Sequence, residues 1–365
     1  MASTTTNYGF TVPTSSDLVK NGATAISTLG QNIDTFLFRP FSKNAVINGG
    51  FDIWQRGTSI AATGAVTIYT ADRWGTRFTS GGVTASRQTT SDTTNLPNIQ
   101  YCIRVQRNSG VTATNTMYLA QSFETVNSIP YAGKTVTMSF YARRGANFSP
   151  TGNILNANIY SGTGTDQEII STGYTGSTIV ASNAIALTTT WTRYTITGTV
   201  GTNINEIAVY FDASPTGTAG ANDYFEITGV QLEVGSQATP FSRNASTIQG
   251  ELAACQRYYY RATSVDNAYT RFGGANGAGS TTSVLLPFVH PVTMRVKPTA
   301  VEYGGTYALS DGNGTASISS VALFQGTSAA QSILDVTCSG ATQFRPYIFI
   351  ANNSTSTYIG VTAEL

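Results

Sequence analysis

Carboxylates are the side chains of this sequence best suited to hydrolytic chemistry. Glycoside hydrolysis needs two of them about 5–9.5 Å apart, and Asp52, Asp72, Glu124, Glu168 and Glu226 are scattered with no diagnostic spacing. The single histidine, His290, lies in PFVHPV between two prolines, with no serine, cysteine or aspartate pattern beside it that would make a nucleophile and its base. Cys102, Cys255 and Cys338 are odd in number and in no metal-ligand spacing, so they read as buried free thiols and imply no oxidising compartment. One histidine leaves no histidine-rich zinc site, and no glycine-rich phosphate loop or dinucleotide fingerprint is found. The expectation is a protein without catalytic residues and without an organic cofactor.

Binding chemistry is better represented. The segments NGGFDIWQRGTS (48–59) and TADRWGTR (70–77) concentrate Trp54, Trp74, Arg56, Arg73, Asp52 and Asp72. Tryptophan rings beside Arg–Asp pairs can form a sugar platform. They can equally close first strands onto last ones, with arginine stems on rings and guanidinium groups held by carboxylates. The 19 tyrosines, with many Asn and Thr, suit sugar recognition by stacking and hydrogen bonding without showing which act. With 20 basic and 19 acidic residues the net charge is +1, which offers no footprint for nucleic acid or an anionic membrane. No run approaches the ~20 apolar residues of a membrane span, and Met1–Phe10 has no signal-peptide pattern, so synthesis in a cytoplasm without membrane insertion is expected.

The elements that must position these residues are mostly strands. Charged residues are 11% of the chain, whereas Gly, Thr, Ser, Asn and aromatics are abundant, a mixture that favours half-buried strands joined by tight turns. At 365 residues the chain can hold two or three domains with real cores. From 44 to 245, alternating segments (YCIRVQR, KTVTMSFYARR, WTRYTITGTV, NEIAVYFDA, DYFEITGVQLEVG) separated by turn-rich stretches predict a jelly-roll-like antiparallel β-sandwich. Residues 262–365 alternate again and predict a second, C-terminal β domain. No repeat at a fixed period of about 20 to 50 residues suggests a solenoid or propeller.

Two short segments have helical spacing. After a polar stretch at 1–13, Thr14 to Asp17 offer helix caps, and Val19, Gly22, Ile26, Leu29, Ile33 and Phe36 follow at alternating spacings of three and four before Pro40. Within 14–43 this predicts a short coiled coil, against the alternative of an amphipathic helix packed on its own domain. β-branched residues at one seam position favour two strands, and flanking Leu18 and Leu37 suit three, so the seam leaves the number open. A second helix is predicted over 246–261, capped by Ser246 and Thr247, with Ile248, Leu252, Cys255 and Tyr259 as a second oligomerising seam.

The ordered set AVINGGFDIWQRGTS, TADRWG, KTVTMSFYAR, WTRYTITGTV, FEITGVQLEVGSQATPF and ELAACQRYYYR resembles bacteriophage tail-fibre and virion proteins whose central domain is a carbohydrate-binding-module-like jelly roll. The opening NYGFTVPTSSDLVKNGATAISTLGQNID is similar to the attachment segment of cyanophage-type fibres. The resemblance covers about residues 44–260 and implies an all-β, fibrous homotrimer located in the virion. Residues 1–13 would meet a tail or neck adaptor, and the β domains would meet host-surface glycan. A capsid- or neck-attached decoration fibre without a receptor role is the first alternative, and a glycan depolymerase the second. Related jelly rolls often carry a structural calcium ion, for which this chain offers Asp52 with Glu226 or Glu233.

Overall fold

The computed structural model describes residues 3–4, 11–14, 18–37, 44–62, 64, 67–80, 82–274 and 277–365. A small hairpin pairs β1 (Ser3–Thr4) with β2 (Thr11–Val12), Ser3 opposite Val12. Helix α1 (Val19–Leu37) follows and contains the whole first apolar seam. Along it Ile26 is 64% and Ile33 41% exposed, so their faces are not covered within the chain. Most of the expected attachment segment, the expected helix cap at 15–17 and the linker at 38–43 lie outside the described residues, as do the side chains of Val19 and Phe36.

The chain divides into two compact units, residues 1–251 with Leu365, and residues 252–364. The first contains an antiparallel sandwich of twelve strands. These are β3 (Ser59–Ala62), β4 (Ile68–Tyr69), β5 (Gly75–Arg77), β6 (Val83–Thr89), β7 (Tyr101–Arg107), β8 (Met117–Ser122), β9 (Thr135–Arg144), β10 (Ile154–Gly162), β11 (Thr178–Ala186), β12 (Thr192–Thr199), β13 (Glu206–Ala213) and β14 (Tyr224–Val234). One sheet has the order β11-β10-β13-β8-β5-β4, the other β12-β9-β14-β7-β6-β3. The path crosses repeatedly between the sheets, as in a jelly roll. A four-residue helix, α2 (Thr125–Ser128), follows β8.

The strands form because their apolar residues recur at every second position. In β9, Val136, Met138, Phe140 and Ala142 are fully buried, while Thr135, Thr137, Ser139, Tyr141 and Arg143 take the other face. In β13, Ile207, Val209, Phe211 and Ala213 point inward, leaving Ala208, Tyr210 and Asp212 outward. Phe140 meets Phe211 edge-on at 4.8 Å between the sheets, and Trp74 and Phe51 pack beside them. A bulge at Gly229, which has φ +59, interrupts the register of β14 with β9 between Thr228 and Gln231.

The second unit has a three-stranded sheet, β15-β23-β18, and a six-stranded sheet, β16-β22-β19-β20-β21-β17. Its strands are β15 (Tyr259–Thr263), β16 (Arg271–Gly273), β17 (Ser283–Val289), β18 (Ala300–Gly304), β19 (Tyr307–Ser310), β20 (Thr315–Leu323), β21 (Gln331–Ser339), β22 (Ile348–Ala351) and β23 (Tyr358–Thr362). Leu286, Leu309, Leu334, Val336, Phe349 and Ile359 belong to its own core.

Helix α3 (Ile248–Gln256) forms where expected, and Thr247 Oγ1 accepts the Gly250 amide at its start. The second seam, however, is corrected. The helix stops at Gln256, Tyr259 belongs to strand β15, and both Cys255 and Tyr259 are fully buried within the chain. Ile248 is 43% exposed and Leu252 half-buried, but with Cys255 and Tyr259 buried the four residues do not form a continuous stripe for another chain. All three cysteines are free and buried. Among the described residues no helix is long and apolar enough to cross a membrane, which leaves strand-based spans unaddressed.

Candidate functional site

The outward positions of three neighbouring strands in the β11-to-β4 sheet bring polar and aromatic side chains together. In β13, Tyr210 pairs with Asn158 of β10 and Ala120 of β8, and Asp212 pairs with Asn156 of β10 and Tyr118 of β8. Tyr160 of β10 stands opposite Ala208. The Tyr210 ring meets Tyr160 edge-on at 5.2 Å and Tyr118 at 5.9 Å. Three half-buried phenol rings thus run across three strands.

Asp212 lies beside them. Asn156 donates to its Oδ2 at 2.8 Å and Asn158 to its Oδ1 at 3.3 Å. Burial raises the Asp212 carboxyl above its ordinary range, and the two asparagine bonds oppose that rise. Burial, reinforced by the Asp212 charge, raises the Tyr160 and Tyr210 phenols, so both remain neutral hydroxyl groups. Aromatic faces next to a carboxylate and two amides can stack on the apolar side of a sugar ring while bonding its hydroxyls.

One wall of this face is the 163–177 segment. Ile169, Ile170 and Tyr174 are buried with Ala120 and Ala208, against which the three tyrosines also pack. The segment is anchored by bonds rather than by regular structure: the Tyr174 hydroxyl donates to Ile207 O at 2.9 Å, Arg77 Nη1 to Ile170 O at 2.9 Å, and the Ile169 amide to Ser122 Oγ at 3.0 Å. Both Glu168 oxygens accept amides of the segment itself, at Ile170 and Ser171.

The residues singled out from the sequence lie elsewhere. Trp74 is fully buried and donates its indole N–H to Asn48 O at 3.1 Å, while Trp54 donates to Phe51 O at 2.8 Å. Arg73 and Asp72 are buried; Arg73 Nη2 donates to Ser122 O, and Asp72 accepts the Gln55 amide. This aromatic segment therefore closes the start of the sandwich and presents no sugar platform.

The expected calcium carboxylates are tied to different partners. Glu226 has a fully buried side chain whose oxygens accept from Arg104 at 2.6 Å and Arg143 at 2.5 Å. Asp52 accepts from Arg243 at 2.8 Å, and Glu233 accepts the Thr239 amide and hydroxyl. A carboxylate already compensated by two guanidinium groups is a poor ligand for a cation, and no group of three or more His, Cys, Asp or Glu among the described residues could hold one. Asp52, Glu226 and Glu233 do not fit a calcium site.

Sequence reading passed over Tyr118, Tyr160, Tyr210, Asn156, Asn158 and Asp212. The available signal was the alternation in NIY and VYFD, where every second residue is polar or aromatic; it could place residues on one face but not join three separate strands.

No family model matches the sequence, and no curated protein matches it. Among solved structures, the enzymatically active domain of tailspike protein 4 of bacteriophage CBA120 aligns at 14% identity and a TM-score of 0.33, covering 53% of this chain and 21% of that one. A xylan-binding domain of family 22 from Paenibacillus barcinonensis aligns at 15% identity and a TM-score of 0.29, covering 45% and 92%. A putative sugar binding protein from Bacteroides thetaiotaomicron aligns at 14% identity and 0.33, covering 53% and 100%. The chain thus spans about a fifth of the tailspike chain's length.

Proposed function

We propose that this chain is a non-enzymatic fibre subunit of a phage virion that binds host-surface glycan on the outer face of its β11-to-β4 sheet. The observation that carries the reading is the cluster of Tyr118, Tyr160 and Tyr210 beside Asp212 and its two asparagines. Rings supply stacking surface at low entropic cost, and the fixed carboxylate and amides supply direction. The ordered motifs of residues 44–260 support the fibre assignment, as does helix α1, whose exposed Ile26 and Ile33 need partners that a second and third copy would supply. Residues 1–13 would then join a tail or neck adaptor.

The absence of catalysis is part of the proposal. Asp52, Asp72, Glu168 and Glu226 each accept bonds from protein donors, which leaves them suited to holding loops and strands. The test is calorimetric titration of the full chain with capsular or lipopolysaccharide glycan from its host. Tyr210→Ala should weaken binding by roughly tenfold or more, the loss expected for one stacking ring with its hydroxyl, with little change in melting temperature. Unchanged affinity in that variant would remove the site, and shortening of the glycan on prolonged incubation would return the enzyme reading.

A further inference from the structure

We infer that the second unit carries a separate site for one neutral sugar residue, built on Tyr303 and the backbone of Gly304–Thr306. A cavity of about 340 Å³ is lined there by Tyr303, Gly304, Gly305, Thr306, Ile318 and Ser319, together with Tyr307. That volume is at the lower end for small-molecule sites, roughly 300–1,000 Å³, and suits one sugar ring better than a peptide.

Tyr303 is 40% exposed, yet its ring is braced. It meets Tyr307 edge-on at 6.1 Å, and Tyr307 stacks on the fully buried Phe349 at 5.2 Å. The Tyr307 hydroxyl is committed to the turn, accepting the Gly304 amide at 2.6 Å and lying 2.7 Å from the Gly304 carbonyl. An exposed phenol held by an inner pair of rings loses little freedom when a ligand stacks on it.

The rest of the lining is small and uncharged. A Cβ on Gly304 would come within 2.7 Å of the Tyr358 ring, and Gly305 has φ +95 with no room for a side chain beside Thr357. Neither position accepts a side chain, so both glycines contribute only backbone to the lining. Opposite, Ser319 is the extra residue of a bulge: Ile318 pairs with Cys338 and Ser320 with Thr337, leaving Ser319 out of the register. Its hydroxyl donates to Thr337 O at 3.3 Å and keeps its lone pairs to accept from a sugar hydroxyl. No charged residue lines the cavity, so nothing there selects an anionic sugar. This site is distinct from the tyrosine face of the first unit and does not depend on it.

Saturation-transfer NMR on the full chain carrying Tyr210→Ala isolates this site from the other. The probes are methyl glucoside, methyl galactoside, methyl mannoside, N-acetylglucosamine and, as the charged control, glucuronate. At least one neutral probe should receive saturation. Adding Tyr303→Ala, or filling the cavity with Ser319→Trp, should abolish it, whereas Tyr303→Phe should keep most of it, each with an unchanged melting temperature. Silence from all neutral probes, transfer only to glucuronate, or signals indifferent to both Tyr303→Ala and Ser319→Trp would overturn the inference. None of these outcomes touches the tyrosine face, which Tyr210→Ala tests separately.

Discussion

At the scale of single residues, what matters is whether a charge can reach water when its partner goes. The side chains of Arg107 and Asp223 are both fully buried and meet at 2.8 Å. Arg107 also donates to the carbonyls of Val111, Ala113 and Gly217, and Asp223 accepts the amide and hydroxyl of Ser149, so the pair ties three loops together. Asp223→Ala would strand a buried cation and should cost about 3–5 kcal/mol. Glu226→Ala should cost less, because Arg104 and Arg143 are each about a quarter exposed and can turn outward. Denaturant midpoints of the two variants check the order, and equal costs would show that solvent access is not the deciding variable. Neither pair was legible in the sequence, since their members are 116 and 122 residues apart along the chain. Trp54 and Trp74 were conspicuous in sequence and could be read as platform or packing; their indole bonds to backbone carbonyls inside the sandwich decide for packing.

Elements were more legible, for reasons of periodicity. Period two fixed which residues of β9, β12 and β13 face inward, while in β14 the bulge at Gly229 moves the inward positions from Phe225 and Ile227 to Val230 and Leu232; the expected segments 101–107, 134–144, 191–200, 205–213 and 223–235 match β7, β9, β12, β13 and β14 to within one residue at each end. The tyrosine face was hidden because a strand's own pattern does not name its neighbours: β13 sits between β8 and β10, and only that order places Tyr210 between Tyr118 and Tyr160. The two helical seams diverged for a similar reason. Spacing alone could not show that Tyr258 and Tyr259 leave the helix and enter buried positions, with Tyr259 starting a strand. In α1, by contrast, Ile26 and Ile33 remain exposed at heptad spacing. If they are the seam of a trimer, Ile26→Asp with Ile33→Asp forces charges against an apolar interface and should release monomers. Light scattering should find three times the 38.5 kDa chain mass before the change and about one chain mass after it. A monomer in the unaltered protein, or an unaltered mass in the variant, would end the coiled-coil proposal.

For the whole molecule, the two units have separate cores and buried ionisable groups of opposite sense. In the first unit, burial raises the carboxyls of Asp212, Glu206 and Glu251. The two asparagines oppose this at Asp212, backbone amides at Glu206, and backbone amides with Arg243 at Glu251. A carboxyl that holds its proton more tightly when folded adds stability as pH falls through its folded value toward the ordinary range near ~4. In the second unit, burial lowers His290, whose ring nitrogens contact Ala329 O and Ser332 Oγ at 3.0 Å. The unfolded chain then takes up the proton first, so stability is lost as pH falls below the ordinary histidine value of about 6.5. The half-buried Asp92 and Asp311 are lowered by bonds from their own loops and, for Asp311, from Arg345; they act only below the ordinary carboxylate range and do not enter this window. Calorimetry from pH 7 down to the ordinary carboxylate range near ~4 should therefore resolve two transitions moving in opposite directions, the first unit's rising and the second's falling. His290→Gln should remove most of the downward movement while leaving the upward one. Two transitions that shift together, or a downward shift that persists without His290, would show that net charge rather than these buried groups governs the response.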